Sequence, residues 1–168
     1  MRANRRSYGV AALACLLLAT GFCRATCPGE GPEVVLDCFS RAYSERDARV
    51  LEEVLAADYI WVAVAPPQVD VFRREDSVAA SVRMFEDEEI ESVALEFHDG
   101  YHVTPGAQPM TWRIEDLRAT LSVGRVSTGE PSIAPLCVTL YVRKTTGDDA
   151  GYEVYREVFF EGDGCVGK

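Results

Sequence analysis

A few side chains in this sequence are of types that could do chemistry, and their spacing limits what that chemistry would be. His98 and His102 flank Asp99-Gly100-Tyr101, and with Glu96 they offer the imidazole and carboxylate donors that a divalent metal takes. The same spacing describes a surface hairpin with solvated histidines, which is the simpler account of a polar turn between strands. Asp58 is a candidate general base, but an acid between a helix and a strand also serves as a turn former. Tyr43 could donate a hydrogen bond from within an apolar segment. Arg113, Asp116, Arg118, Tyr141, Arg143, Tyr155 and Glu157 form a further polar set that could line a polar pocket, although their alternation with Leu and Val equally fits the solvent face of a sheet. The acidic run Glu86 to Glu89 lacks the alternating oxygen ligands and central glycine of an EF-hand loop. The chain holds no Gly-rich phosphate loop, HExxH or GxSxG motif. Motif by motif, no catalytic residue, metal site or cofactor is assigned.

The ends of the chain bear on where such chemistry would take place. Arg2, Arg5 and Arg6 precede an apolar run from Tyr8 to Phe22, and Cys23 and Ala25 follow at the spacing a signal peptidase accepts. This pattern predicts a Sec signal over residues 1–25 and a single domain over residues 26–168, secreted or periplasmic. The run is shorter than the ~20 residues a membrane span needs. Phe22 stands where a lipobox needs a small residue, so membrane contact reduces to an uncleaved signal or a lipid anchor. The full chain carries a formal charge of −10, and removal of the four arginines within residues 1–25 leaves 13 basic residues against 27 acidic ones. Such a surface repels nucleic acid and anionic headgroups.

Four cysteines follow the signal: Cys27, Cys38, Cys137 and Cys165. An even count in an oxidising compartment predicts disulfides, and four cysteines allow three pairings. A clasp from Cys27 to Cys165 at the two ends of the domain is the preferred pairing, with Cys38 and Cys137 joining helix to sheet or remaining thiols. No CxxC spacing supports zinc.

The elements that must position these residues follow from periodicity. Val35, Phe39 and Ala42, with Leu36 and Tyr43, make an apolar stripe through a helix over residues 34–45, and Pro32 suits its first turn. Asp47 can cap a second helix ending at Ala57 or Asp58. Tyr59 to Val64 reads as a strand that stops at Ala65-Pro66-Pro67. A third helix spans about Arg74 to Phe85, with Val78, Val82 and Phe85 inward. Strands follow at Glu91 to His98, Arg113 to Arg125, Leu136 to Thr145 and Tyr152 to Glu161, with a hairpin signal over residues 146–151 between the last two.

The segment Cys38 to Val64, CFSRAYSERDARVLEEVLAADYIWVAV, together with RREDSVAASVRMF, resembles the start of the nuclear transport factor 2-like superfamily, which includes ketosteroid isomerases and SnoaL-like cyclases. The resemblance covers about residues 32–161 and rests on element order. It implies an α+β cone in which three N-terminal helices pack on a curved, mainly antiparallel sheet around a pocket. The face of Trp61 and Ala63 would look into the cone, with Phe39, Tyr43 and Tyr59 as walls and Tyr43 or Arg113 as a polar anchor. At the position of the isomerase acid stands Ala63, and at that of its oxyanion-binding tyrosine stands Phe39. The resemblance therefore implies a non-catalytic domain binding a small apolar ligand in its cavity or a protein partner through its sheet, and a homodimer. The alternative is a cyclase, isomerase or hydratase with a rearranged acid-base site using Asp58, His98 or Tyr43.

Overall fold

The computed structural model describes residues 27, 29–65, 67–146 and 150–160. The predicted signal and Cys165 lie outside them. Helices α1 (Val34–Ser44) and α2 (Ala48–Val54) are followed by strands β1 (Leu55–Ala65) and β2 (Gln68–Arg73), helix α3 (Arg74–Glu86), and strands β3 (Ile90–Phe97), β4 (His102–Pro105), β5 (Thr111–Arg125), β6 (Ser132–Lys144) and β7 (Tyr152–Phe160). The strands form one sheet in the order β2-β1-β7-β6-β5-β3, with β4 also paired to β5. Every pairing is antiparallel except β1 with β7. The result is an α+β fold of helices on a mixed, mostly antiparallel sheet.

Local chemistry explains the helix boundaries. The Asp47 side chain accepts from the backbone N–H of Arg49 at 2.9 Å and of Val50 at 3.4 Å, satisfying donors left free at the start of α2. Arg46, at φ 54°, reverses the chain between α1 and α2. Its guanidinium donates to the carbonyls of Ile90 at 2.9 Å and Asp87 at 3.2 Å, and also to that of Phe85. One arginine thus ties the helical hairpin to the end of α3. Arg74 does the same at the other end, donating to the carbonyls of Glu52 at 2.6 Å and Leu55 at 3.2 Å.

Several elements depart from the sequence expectations. The second helix stops at Val54 and β1 begins at Leu55, because Leu55 pairs with Val154 of β7 and the sheet ladder outcompetes the helical propensity of Ala56-Ala57. Residues 68–73, expected as part of a connection, form β2, which pairs with β1 from Ile60↔Arg73 to Ala65↔Gln68. The sheet therefore continues beyond Ala65, and α3 follows a hairpin instead of a single strand. Residues 98–101 do not close a hairpin. Strands β3 and β4 both pair with β5, one after the other along the same edge, and the segment carries the chain between them.

The preferred cysteine pairing is also corrected. Cys27 is bonded to Cys38, with Cα atoms 6.0 Å apart, so it clasps α1 rather than Cys165. Cys137 is disulfide-bonded as well. The Cys27 backbone bridges to Tyr152, whose hydroxyl donates to the Glu30 carbonyl at 3.2 Å, fastening the start of the domain to β7.

The core lies between the helices and one face of the sheet. Val35, Phe39 and Ala42 of α1 meet Leu95 of β3, Leu117 and Ala119 of β5, Val138 and Leu140 of β6, and Val154 of β7. Each aliphatic side chain so buried contributes about 1.5–3 kcal/mol relative to exposure.

Candidate functional site

Between α1 and the sheet lies a cavity of about 70 Å³. That is room for roughly five water molecules. Helix α1 supplies Phe39 and Tyr43, β3 supplies Leu95 and Phe97, β5 supplies Ala119 and Leu121, and β6 supplies Leu136, Val138 and Leu140. All are apolar apart from the Tyr43 hydroxyl. One acid joins them, Glu157 of β7.

Glu157 reaches this face because of an irregularity in β7. Tyr141 pairs with Arg156 but Val142 pairs with Val154, so β7 carries one extra residue, Tyr155, at that point. A bulge of this kind shifts the alternation by one. Strict alternation from Tyr152 and Val154 would have pointed Arg156 and Val158 inward. The bulge sends Glu157 and Phe159 inward instead, opposite Leu140 and Val138. A second bulge, between Ile114 and Leu117 with Asp116 at φ 56°, keeps the inward residues of β5 in step with those of β6.

Glu157 is held by a single phenol. The Tyr59 hydroxyl donates to Glu157 Oε2 at 2.7 Å. The surface that Glu157 retains opens on the cavity, while its carboxyl is packed so deeply that loss of hydration pushes its pKa up; the hydrogen bond from Tyr59 opposes this only in part. Tyr59 is itself pushed far above the ordinary phenol range, first by burial and then by the Glu157 charge. Burial also raises Tyr43, whose hydroxyl lies 3.5 Å from Ser81 Oγ, and Glu157 is close enough to add to that rise. A carboxyl and two phenols, all pushed toward their neutral forms, thus gather at the one acid among the described lining residues.

The structure separates the candidate residues into two groups. Phe39 and Tyr43 line the cavity, and Tyr59 stands behind Glu157. Trp61 and Ala63 share the inward face, pairing with Glu157 and Phe159 across β7, but they are not among the lining residues. Trp61 stacks on Phe72 of β2 with ring centroids 4.7 Å apart, a contact that depends on the unexpected strand. Arg113, expected as a polar anchor, is instead paired with Glu115 at 3.4 Å, half exposed and across from Tyr141 on the outer face.

Asp58 also lies outside. Its carboxylate receives a two-pronged grip from Arg143, at 2.6 and 3.0 Å, and that hydrogen bonding holds its pKa below the ordinary value. An acid so stabilised in its charged form is a poor proton acceptor. His98 Nε2 lies 2.7 Å from Thr120 Oγ1 on the exposed surface, where His98 borders a shallow groove with Ser40, Arg41 and Glu96. Among the described residues no three His, Cys, Asp or Glu side chains converge as a metal site would require.

The sequence left the face of Glu157 open between a pocket wall and solvent. Glu157 was visible only as one member of a polar alternation, and the bulge at Tyr155 that re-aims it has no glycine to signal it.

No protein-family model and no curated protein matches the chain. Solved structures match it over most of its length. An NTF2-like protein of unknown function in nutrient uptake from Rhodospirillum rubrum aligns with TM-score 0.60 and 18% identity, over 78% of this chain and 98% of that one. An NTF2-like superfamily protein from Salmonella enterica aligns with TM-score 0.54 and 8% identity, over 80% and 92%. LinA aligns with TM-score 0.52 and 7% identity, over 74% and 79%. At such identities the likeness speaks to architecture, and it agrees with the element order and sheet pairing described above: the chain adopts the nuclear transport factor 2-like α+β fold.

Proposed function

We propose that this protein is a secreted or periplasmic domain that binds a small, largely apolar molecule in its cavity. The observation that carries this reading is the cavity's composition, nine hydrocarbon or aromatic side chains and one acid. Small-molecule sites are commonly apolar pockets with few polar groups that fix orientation. The signal-like pattern of residues 1–25 supports export, and the acidic composition suits a protein without nucleic-acid contact.

Homodimerisation through the outer sheet face is part of the same proposal. Val62 and Val64 of β1 pair with Val71 and Val69 of β2 and with Val158 and Phe160 of β7, so these side chains share the face turned away from the helices. Val69 and Val71 are 58% and 61% exposed, which is much apolar surface for adjacent positions on one strand.

One observation favours a second reading. A carboxyl with a phenol at 2.7 Å, opening on a cavity, is the pairing an acid-base enzyme needs. Under that reading the rearranged site centres on Glu157 in place of Asp58 or His98.

Native mass spectrometry of the protein purified from its own source separates these readings. A co-purified small molecule recovered unchanged after incubation supports binding. Its conversion to a product supports the enzyme. A protein that arrives empty, and stays empty when offered small apolar compounds, contradicts both.

A further inference from the structure

We infer that the cavity selects small aliphatic or aromatic amines, with the amine nitrogen seated on the free oxygen of Glu157 and the hydrocarbon part against Phe39, Phe97 and Leu140. This rests on the cavity-binding reading and names its ligand class.

Glu157 is only partly served by the described residues around it. Its Oε2 accepts from Tyr59, and among the described residues no other hydrogen bond to the carboxyl is formed, which leaves Oε1 facing a wall that is otherwise apolar. A carboxyl with one neutral partner keeps acceptor capacity to spare. What that capacity takes is a group that donates a hydrogen bond, and a cationic donor meets it best. Among the described residues no lysine, arginine or histidine lines the cavity to repel a cation or compete for the acid. Three aromatic side chains, Phe39, Tyr43 and Phe97, line the same space, and aromatic faces attract ammonium groups. The chain as a whole is acidic, at −10, which draws cations toward it.

The proton balance is closed. Among the described residues the titratable groups facing Glu157 are Tyr59 from β1 and Tyr43 from α1, and burial favours the neutral phenol in both. An amine that enters as the ammonium form pairs with the carboxylate, and any proton Glu157 carries goes to solvent or, when the amine enters uncharged, to the amine nitrogen, so that each route ends in an ammonium-carboxylate pair. In either case Tyr59 continues to donate to Oε2. The limited volume restricts the ligand to a compact amine with a short branched or single-ring body.

The test is calorimetric titration of the full chain with three probes of one shape: 3-methylbutylamine, 3-methylbutanol and 3-methylbutanoate. The expected result is an affinity order of amine, then alcohol, then carboxylate, with the amine at least tenfold tighter than the alcohol. Glu157→Gln should abolish the amine's advantage over the alcohol, with circular dichroism reporting that the variant is folded. If Glu157→Gln fails to fold, Tyr59→Phe, which removes only the hydroxyl, should still bind the amine ahead of the alcohol. Alcohol binding with no preference for the amine overturns this inference while leaving the cavity reading intact. Failure of all three probes overturns both.

Discussion

The two faces of the sheet treat the same chemical group in opposite ways. On the inner face Glu157 is a carboxyl among hydrocarbon, served by one phenol and pushed toward its neutral form. On the outer face Asp58 is a carboxylate locked by Arg143, which also donates to Glu153 at 2.6 Å, and is pushed toward its charged form. The outer array continues through Tyr155 and Tyr141, whose ring centroids are 6.1 Å apart, with the Arg143 and Arg156 guanidinium groups over them. Glu153, Tyr155 and Glu157 lie on one strand, and a single bulge decides which of them meets water. Sites that bind or react depend on such a separation, because a group's task follows from its surroundings more than from its type.

The largest expected effect comes from emptying the inner face. Leu140→Ala should cost about 2–5 kcal/mol, since Leu140 is 2% exposed and the cavity beside it limits what can collapse to fill the gap. Its outward neighbour gives the contrast: Tyr141→Ala should cost about 0.5–1.5 kcal/mol for the lost ring pair. Equal costs in urea titrations would erase the distinction between the faces.

Next in size is the phenol that serves Glu157. Tyr59→Phe should cost about 1–3 kcal/mol, because it leaves a buried carboxyl without its donor. In the background of Glu157→Leu the same change should cost much less. Additive losses in that double-mutant cycle would show that the pair is not coupled.

A pH profile sharpens the comparison further. The fold holds the Glu157 proton more tightly than the unfolded chain does, so its contribution is intact at low pH. That contribution is lost as pH rises from the ordinary value of 4.5 toward the raised one. Asp58 runs the other way: its contribution is present above the ordinary value of 3.8 and lost as pH falls below it. Glu157→Gln should flatten the first limb and leave the second. Melting temperatures across the acid range would report both, and an unchanged first limb would contradict the inner-face assignment.

The smallest effect belongs to the outer pair. Asp58→Asn should cost about 0.2–1 kcal/mol, because the carboxylate is 64% exposed and water screens what Arg143 provides. The cost should shrink further in high salt.

What could be read from the sequence follows the same division. Helix α1 was legible because Val35, Phe39 and Ala42 repeat at helical spacing, and the long strands because Leu and Val alternate with polar residues over many positions. Strand β2 was not, since Gln68 to Arg73 is short, exposed throughout and follows two prolines that read as a stop. The Phe39 and Tyr43 walls came from the helical stripe and the fold resemblance together. Glu157 was hidden because a bulge changes parity without changing composition, and Tyr-Glu-Val-Tyr-Arg-Glu-Val-Phe carries no mark of where it falls. The disulfide partner of Cys27 depended on where the chain start folds back, which spacing alone does not encode.

The most direct test is a carboxyl-detected NMR titration of protein labelled with carbon-13 in its glutamate side chains, with Glu157→Gln used to assign the Glu157 signal. The account predicts that Glu157 titrates well above the exposed glutamates in the empty protein, and that saturating 3-methylbutylamine brings it down toward them. A Glu157 signal that titrates with the surface glutamates, and does not move when the amine is added, would contradict it.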